Sequence, residues 1–243
     1  MLRLEGLGRD FGAVRALEGV DLDLAAGEVL GLVGDNGAGK STLLKIVAGV
    51  LAPSAGRVVL GGREVTLFSP LDARRHGVEV VYQDLALCEN LSAAANIFLG
   101  RELRRRLGPF SWLDGAAMER RAQELFSELQ SDARPRALAR DLSGGQRQAV
   151  AVARTRLSDP CLVLLDEPTA AISVRQIPQV LDLIGRLSSQ GIAVVLVSHR
   201  LPDVFAVCDR LAVLRRGRKV AERTVRETSA EEITGLITGA IEC

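Results

Sequence analysis

The sequence predicts an α/β domain: a mixed parallel sheet, an N-terminal antiparallel β part, and a helical arm set into the chain between two stretches of core. Three observations point there. Val29–Val33, Leu162–Leu165 and Ala193–Val197 are apolar throughout, as strands covered on both faces of a parallel sheet are. Val20–Leu24 alternates apolar and acidic positions, the pattern of a half-buried antiparallel strand. The middle of the chain, at Leu91–Leu99 and Met118–Gln130, is helical in pattern with no strand between.

In chain order, a short β stretch at Leu2–Leu4 is followed by Val20–Leu24 and then by Glu28–Val33, which ends on Gly34. Ser41–Ala48 reads as a helix, stopped by Gly49 and turned by Pro53 and Gly56. Val58–Leu60 and Glu64–Leu67 suit a hairpin across Gly61-Gly62, and Val78–Tyr82 a further buried strand. Residues 85–140 are the arm, and residues 1–84 with 141–243 the core of one domain spanning 1–243. Within the arm, the run Arg101–Arg106 before Gly108-Pro109 reads as a solvated charged loop, with contact to anionic lipid headgroups or a partner as the alternative. A helix follows Gly144-Gly145 to about Leu157, Asp159-Pro160 turns it, and a helix at Val174–Ser188 separates the last two buried strands in βαβ order. Leu211–Leu214, an Arg-rich turn at Arg215–Lys219 and a capping-box spacing from Ser229 to Glu232 lead into a last helix. No internal repeat is visible.

With 243 residues, 47% of them hydrophobic, the chain can bury one good core. Its 31 Lys+Arg against 30 Asp+Glu leave a formal charge of +1, which disfavours a nucleic-acid partner of the ordinary basic kind. The longest apolar runs, Ile192–Val197 and Cys161–Leu165, fall far short of the roughly 20 residues a membrane-crossing helix needs. Arg3, Glu5, Arg9 and Asp10 break up any signal-peptide apolar region, so a cytosolic chain is expected. Cys88, Cys161, Cys208 and Cys243 form no CxxC pair and read as small buried hydrophobes.

Chemistry concentrates in three places. Gly34-Asp35-Asn36-Gly37-Ala38-Gly39-Lys40-Ser41, extended by Thr42, has the G-x-x-x-x-G-K-[ST] spacing of a phosphate-binding loop. Glycines let backbone N–H groups turn inward, the new helix aims its positive end at phosphate, Lys40 reaches the β/γ oxygens from the loop's surface, and Ser41 supplies a hydroxyl to Mg²⁺. Downstream, Leu162–Leu165 delivers Asp166 and Glu167 at the strand end where ligands of open α/β sheets sit. Asp166 suits the Mg²⁺ shell through water, and Glu167 suits a base or orienter of attacking water. Ser198-His199 ends the next strand, where a neutral imidazole could bond the γ-phosphate or the water, or simply be structural. Leu142-Ser143-Gly144-Gly145-Gln146-Arg147-Gln148 is a second glycine-rich helix start, Ser143 its N-cap, and a second phosphate-binding end. One nucleotide engages both only if two chains face each other.

The phosphate loop at 34–42, Gln83 in VYQD, LSGGQRQ at 142–148, LLDEP at 164–168 and SH at 198–199, in this order, resemble an ABC transporter ATP-binding subunit over nearly the whole chain. The resemblance implies the ABC ATPase fold with its P-loop NTPase core, ATP and Mg²⁺, and a head-to-tail homodimer in which Ser143, Gly144, Gly145 and Gln146 of one subunit meet ATP held by Lys40 of the other. It implies that Phe11 stacks on adenine with Val14 beside it, a core Phe being the alternative. Gln83 would touch Mg²⁺ or water and couple the site to transmembrane permease subunits, which a solute-binding protein engages from outside. The subunit would then be peripheral on the cytoplasmic face of the membrane. QDLALCENLSAAANIFLGRE and TAAISVRQ are similar to the simple-sugar importer branch of ribose, xylose and fructose type. A soluble ABC ATPase acting on nucleic acid or ribosomes is the rival reading, opposed by the short interval from Gln83 to Leu142; an importer ATPase for a non-sugar solute is the other. Two departures stand out: Ile172-Ser173 replaces the usual SALD and leaves no Asp, and Thr155-Arg156 stand where small or aliphatic residues are usual. Asp84–Glu102, with Leu85, Leu87, Leu91, Ile97, Phe98 and Leu99, is read as a docking flank for the permease, internal packing being the alternative.

Overall fold

The computed structural model describes residues 1–107, 110–170 and 172–241; Gly108-Pro109, Ala171 of the TAAISVRQ stretch and Cys243 lie outside the described residues. Strands β1 (Leu2–Phe11) and β2 (Val14–Leu24) form an antiparallel pair, far longer than the short stretches expected. Gly6 and Gly19, at φ 57° and 58°, stand in the left-handed region where the pairing register shifts, and such bulges bend the long strands around the core. β3 (Val29–Gly34), buried at every position, runs into the phosphate loop and α1 (Lys40–Val47). β4 (Ala55–Leu60) and β5 (Arg63–Val65) make the expected hairpin, Leu60 opposite Arg63.

A short helix that the reading of the sequence lacked, α2 (Pro70–Arg75), precedes β6 (Val78–Val81). Its signals were present: Ser69 Oγ accepts the Asp72 N–H, and Pro70 opens the first turn. In the arm, α3 (Ala93–Ile97) is shorter than the apolar pattern implied. The absence of strands there is corrected: β7 (Arg104–Leu107) and β8 (Phe110–Leu113) pair as a separate two-stranded sheet, so much of the arginine run is strand rather than loop. Three consecutive arginines hide the apolar alternation that marks a strand, and the cross-strand partner supplies what the pattern lacks. α4 (Gly115–Glu128) follows, capped by Asp114, whose carboxylate accepts the Ala117 N–H.

Beyond the arm come α5 (Gly144–Thr155), β9 (Leu162–Asp166), α6 (Ile177–Ser189), β10 (Ala193–Val197), α7 (Leu201–Val207), β11 (Arg210–Arg215), β12 (Arg218–Thr224) and α8 (Ala230–Thr238). The helix expected from Val174 starts as a 3-10 turn and becomes α at Ile177, with a proline in its first turn. The expected Arg-rich turn narrows to Arg216-Gly217, since Arg218 and Lys219 already belong to β12, antiparallel to β11. Ser229 caps the last helix as its spacing required, accepting the Glu232 N–H.

Six strands form the central sheet in the order β12-β11-β3-β10-β9-β6, parallel from β11 to β6. A second, antiparallel sheet has the order β2-β1-β4-β5. Each face of the central sheet carries its own apolar layer. One packs against α1 and the antiparallel sheet, through Leu30, Leu32, Leu44 and Leu4. The other includes Val33, Leu165 and Leu196 together with arm residues Ile97, Phe98, Leu125 and Phe126, so the arm shares a core with the sheet. No helix among the described residues is long and apolar enough to cross a membrane. Cys208 is buried, and burial pushes its thiol pKa up; Cys88 and Cys161 are only half-buried.

Candidate functional site

The phosphate loop joins the C-terminal end of β3 to the N-terminus of α1. Gly34 has no room for a side chain, since a Cβ would lie 2.2 Å from the Leu214 carbonyl oxygen. Gly39, at φ 106°, is pressed against β2, where a Cβ would meet Leu17 Cδ2 at 2.7 Å and the Ala16 oxygen at 2.8 Å. Asp35, Asn36 and Gly37 are exposed, Ala38 is buried, and Ser41 is exposed and Thr42 half-buried on the first turn of α1. Lys40, expected at the surface of the loop, is instead buried, 8% exposed. Its Nζ donates to the Gly34 carbonyl at 2.6 Å and the Asp35 carbonyl at 2.9 Å, so the loop closes on its own ammonium. Burial lowers the Lys40 pKa, against the opposing pull of Glu167, Asp35 and Asp166.

Glu167 and Asp166 therefore lie close enough to Lys40 to act on its charge. Asp166, the last residue of β9, has its carboxyl pKa raised, first by burial and then by Glu167, with Lys45 and Lys40 pulling the other way. Glu167 has φ 48°, a left-handed conformation unusual for a non-glycine residue, and its N–H donates to the Val197 carbonyl at 2.9 Å. The adjacent strand β10 ends at Val197, and His199 Nδ1 lies 3.1 Å from Glu167 Oε1. The two strand ends thus bring acid and imidazole to within 3.1 Å of each other. A buried polar contact that the sequence reading missed holds them: Asp203, 3% exposed in the first turn of α7, accepts from Thr169 Oγ1 at 2.6 Å and pairs with Arg200 Nε at 3.3 Å. An acid in a helix's first turn was the available signal.

Hard oxygen donors on this edge, the Ser41 hydroxyl and the Asp166 carboxylate, suit Mg²⁺. No group of three His, Cys, Asp or Glu side chains among the described residues could hold a metal alone, so an ion here would complete its shell with water and phosphate oxygens. Phe11 and Val14 are cross-strand partners at the tip of the β1–β2 hairpin, 44% and 66% exposed, which removes the core-Phe alternative. The Arg9 guanidinium lies 4.8 Å from the Phe11 ring centroid. Ala16 and Leu17, next along β2, press on Gly39, so this aromatic tip stands beside the phosphate loop.

Ser143 caps α5 as expected: its Oγ accepts the Gln146 N–H at 3.2 Å, and Gln146 Oε1 accepts the Ser143 N–H at 2.9 Å. The Gln146 side chain also donates to Asp132 at 3.1 Å, so it is spent within its own chain. A Cβ on Gly144 would lie 2.8 Å from Ile172 Cγ2, so Ile172 would have to shift to admit it, and one on Gly145 2.6 Å from Gln179 Oε1, the movable end of a flexible side chain. Gly144 lines a cleft of about 310 Å³ with Gln83, Gln148, Glu167 and Ile172. Asp35, Asn36, Gly37 and Ala38 line a different hollow, of about 440 Å³, with Arg215 and Arg216. Within one chain, then, the two glycine-rich helix starts serve separate cavities. Of the expected docking flank, Ile97 and Phe98 are core, Leu85 and Leu87 pack half-buried on the core, and Leu99 is exposed. Thr155 turns its hydroxyl onto the Val152 carbonyl, and Arg156 pairs with Glu128 at 3.7 Å.

The chain is 41% identical over 247 residues to the fructose import ATP-binding protein FrcA of Rhizobium meliloti, covering 100% of this chain and 95% of that protein. It is 42% identical to the xylose/arabinose import ATP-binding protein XylG of Sulfolobus acidocaldarius, covering 98% and 94%. Against the ribose import ATP-binding protein RbsA of Geobacillus kaustophilus it is 39% identical but spans only 48% of that protein's length. An ATP-binding cassette of an ABC transporter solved in its ADP conformation superposes with a TM-score of 0.80 at 25% identity, covering 98% of this chain and 94% of that one. A dimeric cassette in a post-hydrolysis state with ADP and Pi, 24% identical, shares the fold with a TM-score of 0.75 over 94% of this chain and all of its own. The family model of the ABC transporters matches residues 17–170, from β2 through the phosphate loop and the LSGGQ helix to the acids of β9, and the chain belongs to that family.

Proposed function

We propose that this chain is the ATP-hydrolysing subunit of a membrane importer for a simple sugar, a pentose or hexose. What carries the reading is the meeting of Lys40, Asp166, Glu167 and His199 at one sheet edge, in a chain about 40% identical along its whole length to sugar import ATP-binding proteins. Phe11 and Val14 would receive the adenine, the N–H groups of residues 34–42 the phosphates, and Lys40 would exchange its two loop carbonyls for β/γ oxygens. Mg²⁺, held by Ser41 and through water by Asp166, with Gln83 at its edge, would neutralise charge building on the phosphates. Glu167 would take a proton from the attacking water, with His199 Nδ1 3.1 Å from its carboxylate to help orient the acid.

Because the two glycine-rich helix starts serve separate cavities within the chain, Ser143, Gly144, Gly145 and the backbone at Gln146 would act on a second copy's nucleotide in a homodimer. Gln83, which lines one cleft with Gly144 and Glu167, would report the site's state to permease subunits in the membrane, residues 85–140 forming the arm of a single domain whose core is 1–84 and 141–243. A solute-binding protein outside would complete the system, with this subunit peripheral on the cytoplasmic face. The test is ATPase activity of the complex reconstituted with its permease, across pentoses, hexoses, peptides and metal ions. Stimulation by a sugar is the expected result; stimulation only by a non-sugar solute would keep the ATPase and remove the sugar.

A further inference from the structure

The hairpin formed by β7 and β8 leaves large apolar side chains mostly exposed among the described residues. Among the described residues it pairs with no strand outside itself, and the Asp114 N–H to Leu103 carbonyl bond, 2.8 Å, closes its base between α3 and α4. Phe110 is 65% exposed, Trp112 59% and Leu113 57%. Register places Arg105 opposite Trp112 and Arg104 opposite Leu113, so each face carries an arginine beside a large apolar side chain. Arg104, Arg105 and Arg106 make no ion pair among the described residues, whereas Arg101, just before them, is held by buried Glu79 at 2.8 Å. From Leu103 to Leu113 the sequence holds three arginines and no acid.

A hairpin this short is marginal alone, and its aromatics add no burial to stabilise it unless another surface receives them. We propose that it lies on an anionic membrane surface, with Trp112 and Phe110 at headgroup depth and the arginines on lipid phosphates. Charge complementarity selects the lipid over a permease. Cytoplasmic loops of membrane proteins carry an excess of Lys and Arg, which would repel this segment, while the cytoplasmic leaflet carries the opposite charge. Tryptophan, with tyrosine, is an aromatic that membrane interfaces favour. The lipid contact stands on the hairpin's own chemistry; that it holds the cassette beside a permease rests on the proposed function.

Trp112 is the single tryptophan of the chain, so its fluorescence reports on this hairpin alone. Purified full-length protein is mixed with vesicles of phosphatidylcholine, with or without phosphatidylglycerol, at low and high salt, and followed by fluorescence and flotation. A blue shift and co-flotation confined to the anionic vesicles and reversed by salt are expected. Each arginine neutralised to Gln should weaken partition about fivefold, and the triple R104Q/R105Q/R106Q about a hundredfold. These variants should keep their ATPase rate in solution, which certifies their fold and is read separately from transport. Fluorescence unmoved by anionic vesicles overturns the proposal, as does a shift that neutral vesicles produce equally. Shielding of Trp112 only in vesicles that contain the permease would assign the hairpin to a protein contact instead, and would also overturn it.

Discussion

Replacing Glu167 by Gln should separate nucleotide binding from turnover. The substitution conserves volume, keeps the backbone N–H bond to Val197 and leaves an amide group in place of the carboxylate 3.1 Å from His199 Nδ1. Folding stability should stay within about 1 kcal/mol of wild type, the scale of one altered hydrogen bond. What disappears is a proton acceptor and one negative charge. Loss of a general base costs about 10² to 10⁴ in rate, equivalent to about 2.7–5.5 kcal/mol of barrier. The lost charge acts on two neighbours: Glu167 helps raise the pKa of Asp166 and opposes the fall of Lys40, so in the variant both groups titrate lower. A nucleotide triphosphate arriving beside one carboxylate fewer should bind at least as well as before. Phosphate release measures the first effect, nucleotide titration the second, and size-exclusion with ATP the accumulation of a dimer that cannot hydrolyse. Turnover within about threefold of wild type, with only monomer in the presence of ATP, would refute both the base and the two-chain arrangement.

Lys40→Ala should remove most ATP affinity, and because the ammonium is buried on two carbonyls it should also cost about 1–2 kcal/mol of stability in nucleotide-free protein; calorimetric titration and thermal melting read the two effects, and unchanged affinity would overturn the phosphate-loop assignment. Asp166 has a raised folded pKa, so its contribution favours folding below its ordinary range and is lost as pH rises through the folded value. Asp166→Asn should accordingly melt higher than wild type at neutral pH without nucleotide, the advantage vanishing in acid, while Mg²⁺-dependent hydrolysis falls; an advantage that persists in acid would contradict the burial argument. Gly34→Ala drives a methyl onto the Leu214 carbonyl oxygen at 2.2 Å and should fail to fold to a nucleotide-binding state, whereas Gly37→Ala, with open space around it but φ 77°, should fold with a modest loss. Far-UV dichroism and nucleotide titration distinguish them, and equal behaviour would count against the steric account.

Local chemistry makes much of this protein legible in its sequence. A phosphate loop needs glycine, lysine and hydroxyl at set spacing on a strand-to-helix turn, and all of that is written in eight consecutive residues. Buried parallel strands announce themselves as apolar runs, so β3, β9 and β10 were found, and with them Asp166 and Glu167 at a strand end. Ser143 as a cap follows from its own neighbours for the same reason. Contacts between distant segments were not legible. Whether Lys40 is buried depends on how the loop closes over it; whether Ile97 and Phe98 face a partner or the core depends on the sheet face behind the arm; the close approach of Glu167 and His199 depends on β9 and β10 being neighbours. The β7–β8 hairpin escaped because its arginines carry no apolar period, and strand character there comes from the partner strand. Sequence alone determines which groups can bind phosphate and move a proton, since those depend on residue type and near neighbours; only packing decides which of them meet, because strand order and burial are settled by residues far apart in the chain.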